Sequence, residues 1–110
     1  MAMPDYGQHD CLGLAELVRK GEVSPTELLD EALARTAAVN PQINAVVVRH
    51  EDYAKTSIDR GLPDGPFRGV PFLLKDLGCE AVDFPTSMGS RLFAGYRYAY
   101  DSELFVRLRA

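Results

Sequence analysis

With 110 residues, 46% hydrophobic and 25% charged, the chain has the composition of one ordinary globular domain. A net charge of -4, with basic residues scattered among acids, excludes the clustered cations that nucleic-acid binding requires. No apolar run approaches the roughly 18 residues of a membrane span, and Met1–Asp10 has neither the basic nor the apolar region of a secretory leader. The expected location is therefore cytoplasmic, with no membrane contact.

The first third reads as helical, over residues 11–39. Leu14, Leu17 and Val18 share one face of an opening helix, Glu16 and Lys20 pair four residues apart, and Gly21 ends it. Ser24-Pro25-Thr26-Glu27 starts a second helix, with Ser24 as N-cap, Pro25 in the first turn and Glu27 completing a capping box. Leu28, Leu29, Ala32, Leu33 and Thr36 form its buried stripe, while Asp30, Glu31 and Arg35 face water. Asn40-Pro41 is expected to stop it.

Residues 43–76 read as strand, helix, strand. Ile43 to Val48 is short, β-branched and apolar, which predicts a strand. Glu51 to Gly61 predicts a third helix, with Tyr53, Ala54 and Ile58 on one side. Leu62-Pro63-Asp64-Gly65-Pro66 is a turn-rich link. It leads into Gly69-Val70-Pro71-Phe72-Leu73-Leu74-Lys75-Asp76, whose apolar core predicts a strand buried on both faces. Residues 77–100 sustain no period and read as loop with one short helical turn. Asp101 is expected to cap a final helix over 101–110, in which Leu104, Phe105 and Leu108 share a face and Glu103 pairs with Arg107. The order of elements defines an α/β fold. Two strands and a few helices supply only part of the cover such a sheet needs, which makes that fold incomplete and predicts a marginal, aggregation-prone or dimeric chain.

Lys75 carries the chemical interest. A lysine that ends an apolar strand either snorkels to water or is held dry for chemistry. The ammonium, with an ordinary pKa near ~10.4, cannot accept a proton at neutral pH unless it is desolvated or its neutral form is favoured. Asp76 would oppose this if it paired with Lys75, but adjacent strand residues point to opposite faces. Asp76 is therefore expected to anchor the following loop. Thr86, Ser87 and Ser90 have an ordinary explanation as caps of a Gly/Pro-rich loop.

The run Arg68 to Asp76, followed by Pro85-Thr86-Ser87-Met88-Gly89-Ser90, resembles the amidase signature family. The Glu22 to Leu28 helix start fits the N-terminal region of that family as well. The resemblance implies the N-terminal part of the amidase signature fold, a mixed sheet core covered by helices, with residues 1–110 forming one segment of a single amidase domain. It implies hydrolysis of a carboxylic amide C–N bond by a Ser-Ser-Lys triad, in which Lys75 is the base. Thr86, Ser87, Gly89 and Ser90 match a stretch that supports the floor of the active site. The two serines belong to a Gly/Ser-rich loop that these residues do not contain, so this segment alone is expected to be inactive. The implied partner is a small linear or cyclic amide, with no cofactor and no metal; a homodimer is possible. Two alternatives stand beside it, a non-catalytic α/β interaction module and a fragment of an A-type amidotransferase subunit.

Other chemistries find little support. Cys11 and Cys79 lie far apart and share no zinc-ligand spacing with histidine. His9, in a terminus expected to be mobile, and His50, at a strand end, lack a carboxylate or cysteine at useful spacing for a Ser-His-Asp enzyme. Gly61, Gly65 and Gly69 are not followed by the Gly-Lys-Ser/Thr of a phosphate loop. Tyr96, Tyr98 and Tyr100 alternate with Arg97 in what reads as a half-exposed loop.

Overall fold

Asp10 opens the first helix by accepting a hydrogen bond from the Gly13 N–H at 2.7 Å. The computed structural model describes Met3 and residues 5–110; Met1, Ala2 and Pro4, part of the segment expected to lack leader character, lie outside the described residues. Four α-helices follow in order: α1 (Cys11–Arg19), α2 (Pro25–Ile43), α3 (Glu51–Arg60) and α4 (Glu103–Arg109). Short 3-10 helices occupy Tyr6–Gln8 and Arg91–Phe93. The chain divides into two units, Met1–Phe72 and Leu73–Ala110.

In the first unit α1 ends at the expected glycine. Gly21 has φ +73°, its N–H donates to the Val18 carbonyl, and the Glu22 N–H donates to the Leu17 carbonyl. This pair of bonds is the Schellman arrangement, which satisfies carbonyls that the helix end would leave orphaned. Helix α2 starts as its sequence requires: the Glu27 N–H donates to Ser24 Oγ at 3.2 Å, and the Ser24 N–H donates back to the Glu27 carboxylate at 2.8 Å. Leu14, Ala15, Leu28 and Leu29 make the buried apolar set of this unit, with Leu28 fully enclosed. Helices α2 and α3 pack against each other.

Three expectations for this unit are corrected. Asn40-Pro41 does not stop α2, which runs to Ile43 and ends at Asn44 in the left-handed conformation (φ 49°). Asn tolerates that conformation better than other side chains, and it displaces the stop signal by one turn. Ile43 to Val48 forms no strand. The Asn40 side-chain amide takes the place of a neighbouring strand, donating to the Val46 carbonyl at 2.9 Å and accepting from its N–H at 2.8 Å. Glu31 does not face water. It is buried and accepts from the Met3 N–H at 3.1 Å and from Arg35 Nε at 2.7 Å, which together hold its carboxyl below the usual range.

Arg35 also donates to the Met3 carbonyl, at 3.4 Å. The Arg35 guanidinium lies 5.0 Å over the Tyr6 ring. His9 Nε2 lies 3.4 Å from the Asp5 carboxylate, a partner four residues away that the spacing for a catalytic triad does not point to.

The second unit has a core of Ala81 and Phe105, with Phe84 meeting the Phe105 ring edge-on at a centroid distance of 5.8 Å. Asp101 is not the cap of α4. The cap is Ser102, whose Oγ accepts from the Phe105 N–H at 3.2 Å. Asp101 instead accepts from the Val82 N–H at 2.8 Å and from Arg109 at 3.0 Å. Glu103 pairs with Arg107 as expected, at 2.8 Å. Of the face assigned to α4, Phe105 is buried whereas Leu104 and Leu108 are exposed.

No mixed sheet is present among the described residues. Among the described residues there is no strand, and the sole β-pairing is an isolated antiparallel bridge between Thr86 and Tyr96. The 69–76 segment has no partner strand to receive its backbone N–H and C=O groups, so its apolar sequence does not produce a ladder.

Candidate functional site

The octapeptide departs from α1 and α2 at a glycine that nothing else replaces well. Gly69 has φ +83°, and a Cβ built there would lie 3.1 Å from both Pro25 Cγ and Val18 Cγ1. Positive φ and close approach both demand the missing side chain. The turn leading into it is closed by Arg68 N–H to Gly65 carbonyl and Val70 N–H to Phe67 carbonyl, at 3.2 and 3.0 Å.

Lys75, six residues further on, is exposed. Phe72 and Leu73 beside it are 67% and 69% exposed, so the dry strand expected around the lysine is not provided by these residues. Asp76 behaves differently. Its carboxylate turns to the 86–89 turn, accepting from Thr86 Oγ1 at 2.6 Å, from the Ser87 N–H at 3.0 Å and from Ser87 Oγ at 2.8 Å. Thr86 Oγ1 also lies 2.8 Å from the Asp76 carbonyl oxygen, so its one proton is shared between two acceptors. These donors, Thr86 first and then Ser87, with the Gly89 N–H contributing, hold the Asp76 carboxyl down at about 2. Stabilisation of the charged form by hydrogen bonds is the cause.

The turn that supplies these donors is itself unusual. Met88 and Gly89 have φ of 52° and 70°, and the Ser90 N–H donates to the Ser87 carbonyl at 2.8 Å. Consecutive left-handed residues are the pattern of a mirror-image tight turn. For a methionine this conformation costs about 1–2 kcal/mol. The bonds to Asp76 on one side and the Thr86 N–H to Tyr96 carbonyl bond (2.8 Å) on the other hold it in place. The Ser90 hydroxyl accepts from the Leu92 N–H at 3.2 Å and caps the following 3-10 helix. Tyr98 OH reaches Met88 Sδ at 3.9 Å, and the Tyr96, Tyr98 and Tyr100 rings stack edge-on in sequence.

The structure thus brings Thr86, Ser87 and Gly89 together on Asp76, with Lys75 next in the chain, and leaves Ser90 to cap the helix that follows. The hydroxyl protons of Thr86 and Ser87 are committed to a carboxylate. The sequence marks Asp76 as a loop anchor but does not identify what it holds. The only signal is a Thr-Ser pair ten and eleven residues after the aspartate. Among the described residues, no group of three or more His, Cys, Asp or Glu could hold a metal ion. Cys11 and Cys79 are free thiols, and no helix of the described residues is long and apolar enough to cross a membrane.

Residues 27–110 match the family model described as Amidase. The chain is 44% identical over 103 residues to a 6-aminohexanoate-cyclic-dimer hydrolase of Pseudomonas sp. (strain NK87), an alignment that covers 92% of this chain and 20% of that protein. It is 37% identical over 117 residues to the A-type subunit of the glutamyl-tRNA(Gln) amidotransferase of Salinispora arenicola (strain CNS-205), covering 98% of this chain and 23% of the relative. The solved structure of a 6-aminohexanoate cyclic dimer hydrolase complexed with substrate superposes with a TM-score of 0.85 at 37% identity, over 98% of this chain and 22% of the other. The fold is therefore that of a portion of an amide hydrolase, and the chain belongs to the amidase family. It spans about one fifth of the length of the curated relatives it matches.

Proposed function

We propose that this chain is part of an enzyme that hydrolyses a carboxylic amide C–N bond, and that Lys75 is the base of its Ser-Ser-Lys triad. The observation that carries the reading is the family match over residues 27–110, which includes the whole of the Gly69 to Ser90 block. A linear or cyclic amide is the favoured substrate class. A cyclic-dimer hydrolase relative at 44% identity and a solved hydrolase structure that superposes with a TM-score of 0.85 support hydrolysis.

In this reading a serine attacks the amide carbonyl carbon, and its proton passes through a second serine to Lys75 Nζ. The C–N bond breaks as Lys75 returns that proton to the leaving nitrogen, and water then hydrolyses the acyl-serine ester to the free acid and the serine hydroxyl. Both serines would lie in a Gly/Ser-rich stretch, and none occurs in these residues. Lys75 must be neutral to take the proton. Its exposure here means that other residues of the enzyme would have to supply the dry surroundings. The 110-residue chain by itself is accordingly expected to hydrolyse no simple amide. It has neither the nucleophile nor the oxyanion donors, which alone are worth roughly 10²–10³ in rate.

The test is Lys75→Ala in the enzyme that carries this sequence. Turnover of an amide substrate should fall by about 10²–10⁴, with thermal unfolding recorded alongside to show that the variant is folded. Near-normal turnover by the variant would refute the assignment.

A further inference from the structure

Asp76 takes no part in the proposed proton transfer, yet the hydrogen bonds of the lysine-bearing segment meet on it. Among the described residues, each hydrogen bond that ties residues 73–79 to the remainder of their unit ends on Asp76. Its carboxylate accepts from Thr86 Oγ1, Ser87 N–H and Ser87 Oγ, and its carbonyl is in reach of Thr86 Oγ1. No ladder assists, because the segment has no partner strand among the described residues. An exposed lysine on a flexible stem thus stands directly before the one residue of its segment that is fixed on several sides.

We infer that Asp76 is a positioning residue for Lys75, clamping the backbone of the segment to the Thr86–Gly89 turn so that the lysine projects from a fixed point. The inference rests on the reading of Lys75 as the base. Its physics is that of a charged acceptor with saturated partners. Charge-assisted bonds are about twice as strong as neutral ones, and three donors converging on two oxygens define an orientation as well as a distance. Lys75 is exposed and takes part in none of these bonds, so a clamp at Asp76 holds the backbone while leaving Lys75 unobstructed. The clamp has a second consequence. A carboxylate occupied by Thr86 and Ser87 is withheld from the adjacent ammonium, and an ion pair there would favour the charged lysine that cannot act as a base. The strained Met88 conformation fits this account, since the turn is bent so that Ser87 presents both its N–H and its hydroxyl to one carboxylate.

The test is a double-mutant cycle between Asp76 and Lys75, read in steady-state kinetics of the enzyme that carries this sequence. Asp76→Ala should lower kcat by about 10- to 100-fold, the scale of losing alignment by an ångström, with KM changed by less than about threefold. Asp76→Asn should lose less, because its amide oxygen still accepts from Thr86 and from the Ser87 N–H. The decisive measurement is Lys75→Ala/Asp76→Ala. If Asp76 acts through Lys75, the double variant is no slower than Lys75→Ala alone; if the two losses multiply, Asp76 acts elsewhere and the inference is overturned. Should Asp76→Ala fold poorly, Thr86→Val keeps the carboxylate and removes the 2.6 Å donor. It should give a smaller loss, confined to kcat and likewise absent in the Lys75→Ala background, and an unchanged kcat would count against the clamp. Near-normal turnover by Lys75→Ala would instead remove the base itself, an outcome distinct from multiplying losses in the cycle.

Discussion

Acid should loosen the clamp at a pH set by Asp76. In the folded chain its carboxyl is held down from 3.8 to about 2 by the Thr86 and Ser87 donors, while in the unfolded chain it returns to the ordinary value. Above about pH 5 both states are ionised and the stabilisation is fully present. As pH falls through ~4 the unfolded state takes up the proton first, and stability drains away until the folded group also protonates near 2. A shift of this size would correspond to roughly 2.4 kcal/mol at 1.36 kcal/mol per unit. Asp76 is half-buried, and screening by solvent reduces the expected figure to about 1 kcal/mol. The assay is urea unfolding of the chain and of Asp76→Asn at about pH 6.5 and about pH 2.5. Glu27 and Glu31, whose carboxyls are also held low, titrate in both proteins and cancel from the comparison. The stability difference between the two proteins should be roughly 0.7 kcal/mol larger at the higher pH, because about a third of the stabilisation survives at about pH 2.5. Parallel pH profiles for the two would show that the Asp76 bonds are not formed in solution.

Two further outcomes test the first unit. Leu28→Ala removes the one large side chain that is completely enclosed among the described residues, and should cost about 2–5 kcal/mol in urea or thermal unfolding. Leu12→Ala, on the 59% exposed side of α1, should stay within about 0.5 kcal/mol, and equal effects of the two would contradict the assigned core. Gly69→Ala forces a side chain into a left-handed backbone and against Val18 and Pro25, so it should destabilise by about 1–3 kcal/mol. A neutral or stabilising Gly69→Ala, measured by thermal unfolding, would show that the turn into the octapeptide is built differently.

Local signals are legible without coordinates wherever one stretch of chain satisfies itself. The Ser24–Glu27 capping box, the Gly21 helix end and the Glu103–Arg107 pair all close within a few residues, so the sequence specifies them directly. The family, too, is readable from the Gly69 to Ser90 block, which lies within the residues that match the family model. What depends on distant partners is not legible. Glu31 sits on a face that periodicity assigns to water, and is buried because Met3, twenty-eight residues away, donates to it. Asn40-Pro41 reads as a stop, but Asn44 offers a better left-handed cap and Asn40 finds its use in holding Val46. The apolar runs at 43–48 and 70–74 read as strands by composition. A strand exists only where a second backbone answers its hydrogen bonds, and the described residues supply none. Asp76 shows the same division at the site. Its place beside Lys75 is written in the sequence, whereas its hold on Thr86 and Ser87 requires the tight turn at Met88 and Gly89, which only the folded chain brings within reach.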